Sequence, residues 1–181
     1  MRVAADSIRH GLLQRCPLEP DPAAYPTELQ PLRATFVTLQ RHGELRGCIG
    51  MLEAMRPLVQ DVAHNAYAAA FSDPRFPPLA ALELEGLDLH ISILSPPEPM
   101  QFVSEGDLLN QLRPGEDGLI LRAGIRRGTF LPSVWESLPQ PQAFLQHLKM
   151  KAGLAPDFWS DEVRVERYTT EAFGGPLPPS R

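Results

Sequence analysis

Residues 33–50 read Arg33-Ala34-Thr35-Phe36-Val37-Thr38-Leu39-Gln40-Arg41-His42-Gly43-Glu44-Leu45-Arg46-Gly47-Cys48-Ile49-Gly50. Residues 33–40 are β-branched, aromatic and roughly alternating, the pattern of a half-buried strand. Arg41-His42-Gly43-Glu44 is turn chemistry, and Leu45 to Gly50 returns as a second strand, so the stretch predicts a β-hairpin. Glycines at 47 and 50 weaken a strand but let another chain or a ligand approach its backbone. A hairpin near the start of a chain in which strands and helices intersperse sets the class as α+β or mixed α/β, of which α+β is the expectation carried forward.

Before the hairpin, Val3, Ile8, Leu12 and Leu13 recur at helical spacing over residues 3–15. Five prolines at 17, 20, 22, 26 and 31 then forbid regular structure. After the hairpin, Pro57 opens a helix with a wide apolar face (Leu58, Val62, Ala66, Ala70), which ends at Phe71-Ser72-Asp73-Pro74. Residues 87–94 alternate, with Leu87, Leu89, Ile91 and Ile93 on one face and Asp88, His90 and Ser92 on the other. Beyond the Pro96-Pro97-x-Pro99 break, a short helix runs from Ser104 to about Leu112. Strands follow at 118–123 and 129–131, then a helix from Pro141 closed by Gly153, and a strand over 162–168. Gly174-Gly175-Pro176-Leu177-Pro178-Pro179 reads as a flexible end.

The 181 residues suit one domain, or one domain with a small lobe. Proline numbers 20, about twice the usual ~5% share. With so many breaks, a helical bundle or coiled coil is excluded. The net charge of −5 argues against binding nucleic acid through the overall field. Cys16 and Cys48 make no disulfide framework and no zinc spacing, and no membrane span or secretory signal is visible. The expectation is a cytoplasmic protein with free thiols and no metal or cofactor.

Leu45-Arg46-Gly47-Cys48-Ile49-Gly50 resembles the signature segment of the AMMECR-type domain, called AmmeMemoRadiSam system protein A in prokaryotes. Further blocks follow in the family's order: Ser72-Asp73-Pro74-Arg75-Phe76-Pro77-Pro78-Leu79, Ile91-Ser92-Ile93-Leu94-Ser95-Pro96-Pro97, Asp117-Gly118-Leu119, Arg127-Gly128-x-Phe130-Leu131-Pro132-x-Val134 and Lys151-Ala152-Gly153-Leu154. Together they cover about residues 33–155. The resemblance implies a single domain over 1–172, with 173–181 as a flexible tail. Its central, mostly antiparallel sheet is flanked by helices. A smaller lobe falls within about 45–100, and the Cys48 segment lines a cleft between the two. It also implies Memo-like and radical SAM partners. Ser133 stands where the family usually carries Gln or Glu, which puts any role of that side chain in doubt here.

Cys48 is the first candidate for chemistry. A thiol becomes a useful nucleophile beside a cation or an oriented donor. Strand alternation places Arg46 on the same face, two residues away. The competing reading is a cysteine that serves as a small buried hydrophobe. Neither His10, His42, His64, His90 nor His147 forms a motif with it. Arg75 either pairs with Asp73 to fix a proline-rich loop or presents its fork to an anion. Arg46 and Cys48 are thus the catalytic candidates, and Gly47, Gly50, Asp73, Arg75 and Ser92 the binding ones. The expected function is a cysteine-containing enzyme, or enzyme component, acting on an anionic small molecule or a modified nucleic-acid piece. The alternative is a non-catalytic module that holds partners and takes a metabolite or peptide.

Overall fold

The computed structural model describes residues 1–180, which form two compact units. The first unit spans Met1–Leu94 and the residues from Glu171 on, and the second spans Ser95–Thr170. Each contains one four-stranded antiparallel sheet. The sequence suggested one central sheet with a smaller lobe inside 45–100. Residues 45–94 instead belong to the first unit, where they supply two of its four strands, and the second unit begins at Ser95.

In the first unit, helix α1 (Arg2–Gln14) precedes the hairpin of β1 (Thr35–Arg41) and β2 (Glu44–Gly50). Helix α2 (Leu58–Phe71) and strand β3 (Leu87–Leu94) follow. β8 (Thr170–Pro176) brings the chain back from the second unit, and the sheet order is β2-β1-β3-β8. The alternating apolar residues Val37, Leu39, Leu89 and Ile91 pack with Val62, Ala66 and Ile8 of the helices into one core. Burying such side chains contributes about 1.5–3 kcal/mol each. A buried polar knot ties α2 to β1. The Thr35 hydroxyl donates to Asp61 at 2.7 Å, and the Asn65 amide donates to Asp61 at 2.9 Å and to the Thr35 carbonyl at 3.1 Å. Burial pushes the Asp61 carboxyl above its ordinary pKa.

The glycines and prolines after 173 suggested a flexible tail, yet Thr170–Pro176 is a strand hydrogen-bonded beside β3. The Leu177 N–H donates to the Leu87 carbonyl at 2.8 Å, and the Arg9 guanidinium donates to the Pro178 carbonyl. These long-range bonds override the local punctuation. The last residue of that predicted tail, Arg181, lies outside the described residues.

In the second unit, β4 (Glu98–Pro99), α3 (Glu105–Gln111), β5 (Gly118–Ala123), β6 (Arg126–Phe130), α4 (Pro141–Lys151) and β7 (Arg164–Tyr168) form a sheet of order β4-β7-β5-β6 with its helices. Trp135 stacks on Phe144 with ring centroids 3.8 Å apart, and its indole N–H donates to the Asp117 carbonyl at 2.7 Å. Lys149 is fully buried and satisfied by Glu105 at 2.6 Å and the Pro156 carbonyl at 3.3 Å. On the same sheet, Arg122 pairs with Glu166 at 3.2 Å. Among the described residues no helix is long and apolar enough to cross a membrane.

Candidate functional site

The LRGCIG segment is β2, at the edge of the first sheet. Its pairing with β1 is interrupted: Gln40 faces Leu45 and Leu39 faces Gly47, so Arg46 is an extra, bulged residue. A bulge redirects side chains and breaks the two-residue alternation. The expectation that Arg46 shares a face with Cys48 therefore fails. Its guanidinium donates to Glu83 at 2.7 and 3.0 Å and to the Pro77 carbonyl at 2.9 Å. The fork holds the Glu83 carboxyl down to about 2.

Beyond the bulge, Cys48 stands opposite Thr38, and the Thr38 hydroxyl donates to the Cys48 sulfur at 3.2 Å. The Cys48 N–H points off the sheet edge and donates to Asp73 Oδ2 at 2.8 Å. An edge strand normally leaves such groups to solvent or to another strand. Here the loop after α2 supplies the partners. Asp73, only 2% exposed in its side chain, also accepts from Arg75 Nε at 3.0 Å and Nη2 at 2.7 Å. Arg75 Nη2 in turn lies 3.3 Å from the Cys48 carbonyl oxygen. Residues 73 and 75 thus bond to the N–H and C=O of Cys48 as a neighbouring strand would. The Arg75 hydrogen bonds hold the Asp73 carboxyl far below the usual carboxylate range, with a further contribution from the Cys48 N–H. Asp73 raises the Arg75 guanidinium in turn. The Phe76 ring has Arg75 at 5.5 Å and Arg46 at 5.8 Å from its centroid, both within cation–π range.

The internal pairing of Arg75 with Asp73 is present, and the Arg75 side chain is 54% exposed. The glycines differ from expectation. Gly47 admits the Ala69 carbonyl of α2, and Gly50 admits the Phe36 ring, so the close neighbour on the Cβ side of each is the protein itself. Ser92 stands opposite Phe36, two residues along β1 from Thr38. His90 stands opposite Thr38, which places Cys48, Thr38 and His90 in one row across β2, β1 and β3. Thr38 and Glu83 were missed from sequence, because the bulge fixes one partnership and the 37-residue separation of Arg46 and Glu83 hides the other. No three His, Cys, Asp or Glu side chains gather as metal ligands among the described residues.

The AMMECR1 family model matches residues 1–173. The chain belongs to the AMMECR1 family. Relatives include a Methanothermobacter thermautotrophicus protein, 41% identical over 158 residues, covering 84% of this chain and 80% of the relative. A Thermotoga maritima protein is 40% identical over 176 residues, covering 96% and 93%. The crystal structure of an uncharacterised protein from Pyrococcus horikoshii matches with a TM-score of 0.85 at 35% identity, over 98% of this chain and 91% of that one. Ser133 is an exposed residue of the short 3₁₀ turn Pro132–Glu136. It belongs to the second unit, whereas Cys48 belongs to the first.

Proposed function

We propose that this AMMECR1-family protein is a cytoplasmic, thiol-dependent enzyme or enzyme component. Cys48 acts as nucleophile or proton donor on an anionic small molecule or a modified nucleic-acid piece, alongside Memo-like and radical SAM partners. The observation that carries the reading is the brace at Cys48. A nearly fully buried carboxylate, Asp73, fixes the backbone of the cysteine and at the same time fixes Arg75 beside it. Sites that do chemistry are held by such locked supporting groups. In this reading Arg75 takes the cationic role that alternation assigned to Arg46, and the Thr38 hydroxyl orients the sulfur.

Iodoacetamide labelling at pH 7, followed at peptide level by mass spectrometry, tests it. Cys48 is half-buried and Cys16 exposed. Cys48 is nonetheless expected to react faster than Cys16, and Arg75→Gln is expected to slow Cys48 severalfold while leaving Cys16 unchanged. In a reconstituted assay with the partner proteins, Cys48→Ala abolishes turnover.

A second reading, a non-catalytic module that holds those partners and takes a peptide or metabolite, draws on one observation. Among the described residues the sulfur's one side-chain hydrogen-bond partner is a hydroxyl rather than a base. Slow labelling of Cys48, unaffected by Arg75→Gln, together with full turnover in Cys48→Ala, favours that module.

A further inference from the structure

The first unit contains a pocket of about 410 Å³ between α1 and α2, remote in sequence from the Cys48 segment. That volume falls in the ~300–1,000 Å³ range of small-molecule sites. One wall is aromatic: Tyr67 and Phe71 lie with ring centroids 5.0 Å apart at 43°. They reach the backbone of α1 because residue 11 is glycine, where a Cβ would meet the Tyr67 ring at 2.7 Å. Leu12 and Leu79 add aliphatic surface.

The remaining lining group of note is Arg15. It sits just past the end of α1 with φ 58° and ψ 30°, the left-handed region that a residue with a side chain enters only when held there. Two bonds hold it. Its N–H donates to the Gly11 carbonyl at 3.0 Å, and its own carbonyl accepts from the Tyr67 hydroxyl at 2.9 Å. Arg9, Arg46, Arg56, Arg75 and Arg113 all lie within 4 Å of a carboxylate. Arg15 has no acidic partner among the described residues and lines the pocket. A pocket with an aromatic wall and an exposed guanidinium among its lining residues, on a backbone held at two points, has a defined complement. Its ligand carries a flat apolar body for the rings and a single negative charge for the guanidinium.

We propose that this pocket binds a small aromatic carboxylic acid, with its rings against Tyr67 and Phe71 and its carboxylate on Arg15. Cys48 is not among the residues that line this pocket, and the proposal does not depend on what the thiol does.

The pair 2-naphthoate and 2-naphthamide tests it, since the two differ only in the charged group. Isothermal titration with the full chain is expected to show one saturable naphthoate site, with naphthamide weaker. Arg15→Gln, at an exposed position, is expected to weaken naphthoate about three- to fivefold, the scale of a partly solvated ion pair, and to leave naphthamide unchanged. Leu12→Trp, which fills the chamber, abolishes both while circular dichroism shows the fold intact. The proposal is overturned by the absence of saturable naphthoate binding to the wild type. It is equally overturned by an Arg15→Gln chain that binds naphthoate as well as wild type, or by undiminished binding in a folded Leu12→Trp chain.

Discussion

Gly47→Ala is expected to lower the midpoint of thermal unfolding by about 6–12 °C, from an overpacking cost of about 3 kcal/mol at roughly 2–4 °C per kcal/mol for a chain of this size. Gly47 lies opposite Leu39 on β2 and turns toward α2. A methyl group there would collide with the Ala69 carbonyl oxygen, and the Ala69 carbonyl carbon would stand at 3.0 Å. Both obstacles are backbone, so no side-chain rotation relieves them. Nor can α2 simply retreat. The Thr35, Asp61 and Asn65 knot ties it to β1, and the Ser7 hydroxyl, 2.8 Å from the Ala63 carbonyl, ties it to α1. Gly43 supplies the control. It needs its left-handed φ of +80° but has open space around it, so alanine there meets only the conformational cost of about 1–2 kcal/mol. A Gly47→Ala chain that melts within about 2 °C of wild type would falsify the packing of α2 on β2.

The same glycine shows how far the sequence could be read. Alternation and turn residues locate β1, β2 and β3, because each strand has one face in a core and one outside. Proximity to a close neighbour at Gly47 was legible too, but not whether the neighbour was a ligand or a helix. Counting back from the turn at His42-Gly43 pairs Thr38 with Gly47. The bulge at Arg46 shifts that partner to Cys48 and sends the arginine elsewhere. A bulge is a one-residue event with no composition of its own, so the Thr38–Cys48 contact and the fate of Arg46 were hidden. The Asp73–Arg75 pair was readable because both residues belong to one turn. Their grip on the Cys48 backbone was not, since it depends on which strand lies at the sheet edge. Likewise β8 carries two glycines and a proline, and only its place beside β3 makes it a strand. The division into units was hidden for the same reason, because residues from both ends of the chain complete the first sheet.

Glu83→Gln is expected to destabilise the protein by about 3 kcal/mol at pH 7, because it leaves the Arg46 guanidinium enclosed without its counter-ion. The side chains of Arg46 and Glu83 are only 11% and 22% exposed, and Arg46 Nη1 already lacks a hydrogen-bond partner, so little water is available to replace the carboxylate. Glutamine would also turn an amide N–H toward the cation or toward the Ala80 N–H, which now donates to Glu83 Oε2 at 2.8 Å. The acid limb of the stability curve checks the same pair independently. The Glu83 carboxyl is lowered from 4.5 to about 2 in the folded chain, chiefly by the Arg46 hydrogen bonds. Its contribution is therefore complete above the unfolded value and is lost as pH falls from about 4.5 toward 2. The wild type should lose stability steeply across that window, and Glu83→Gln should lose less, so the two denaturation curves converge on acidification. Asp73, held lower still by Arg75, remains charged through the window and leaves a residual acid slope in both chains. Removing both partners separates the cost of an orphaned charge from the worth of the pair. Arg46→Leu combined with Glu83→Leu is expected to be less destabilising than Glu83→Gln alone, since no enclosed charge is left unpaired. Parallel acid curves for wild type and Glu83→Gln would instead mean that the carboxylate is not held by Arg46, and that the loop from Asp73 to Glu83 is fixed by Asp73 and Arg75 alone.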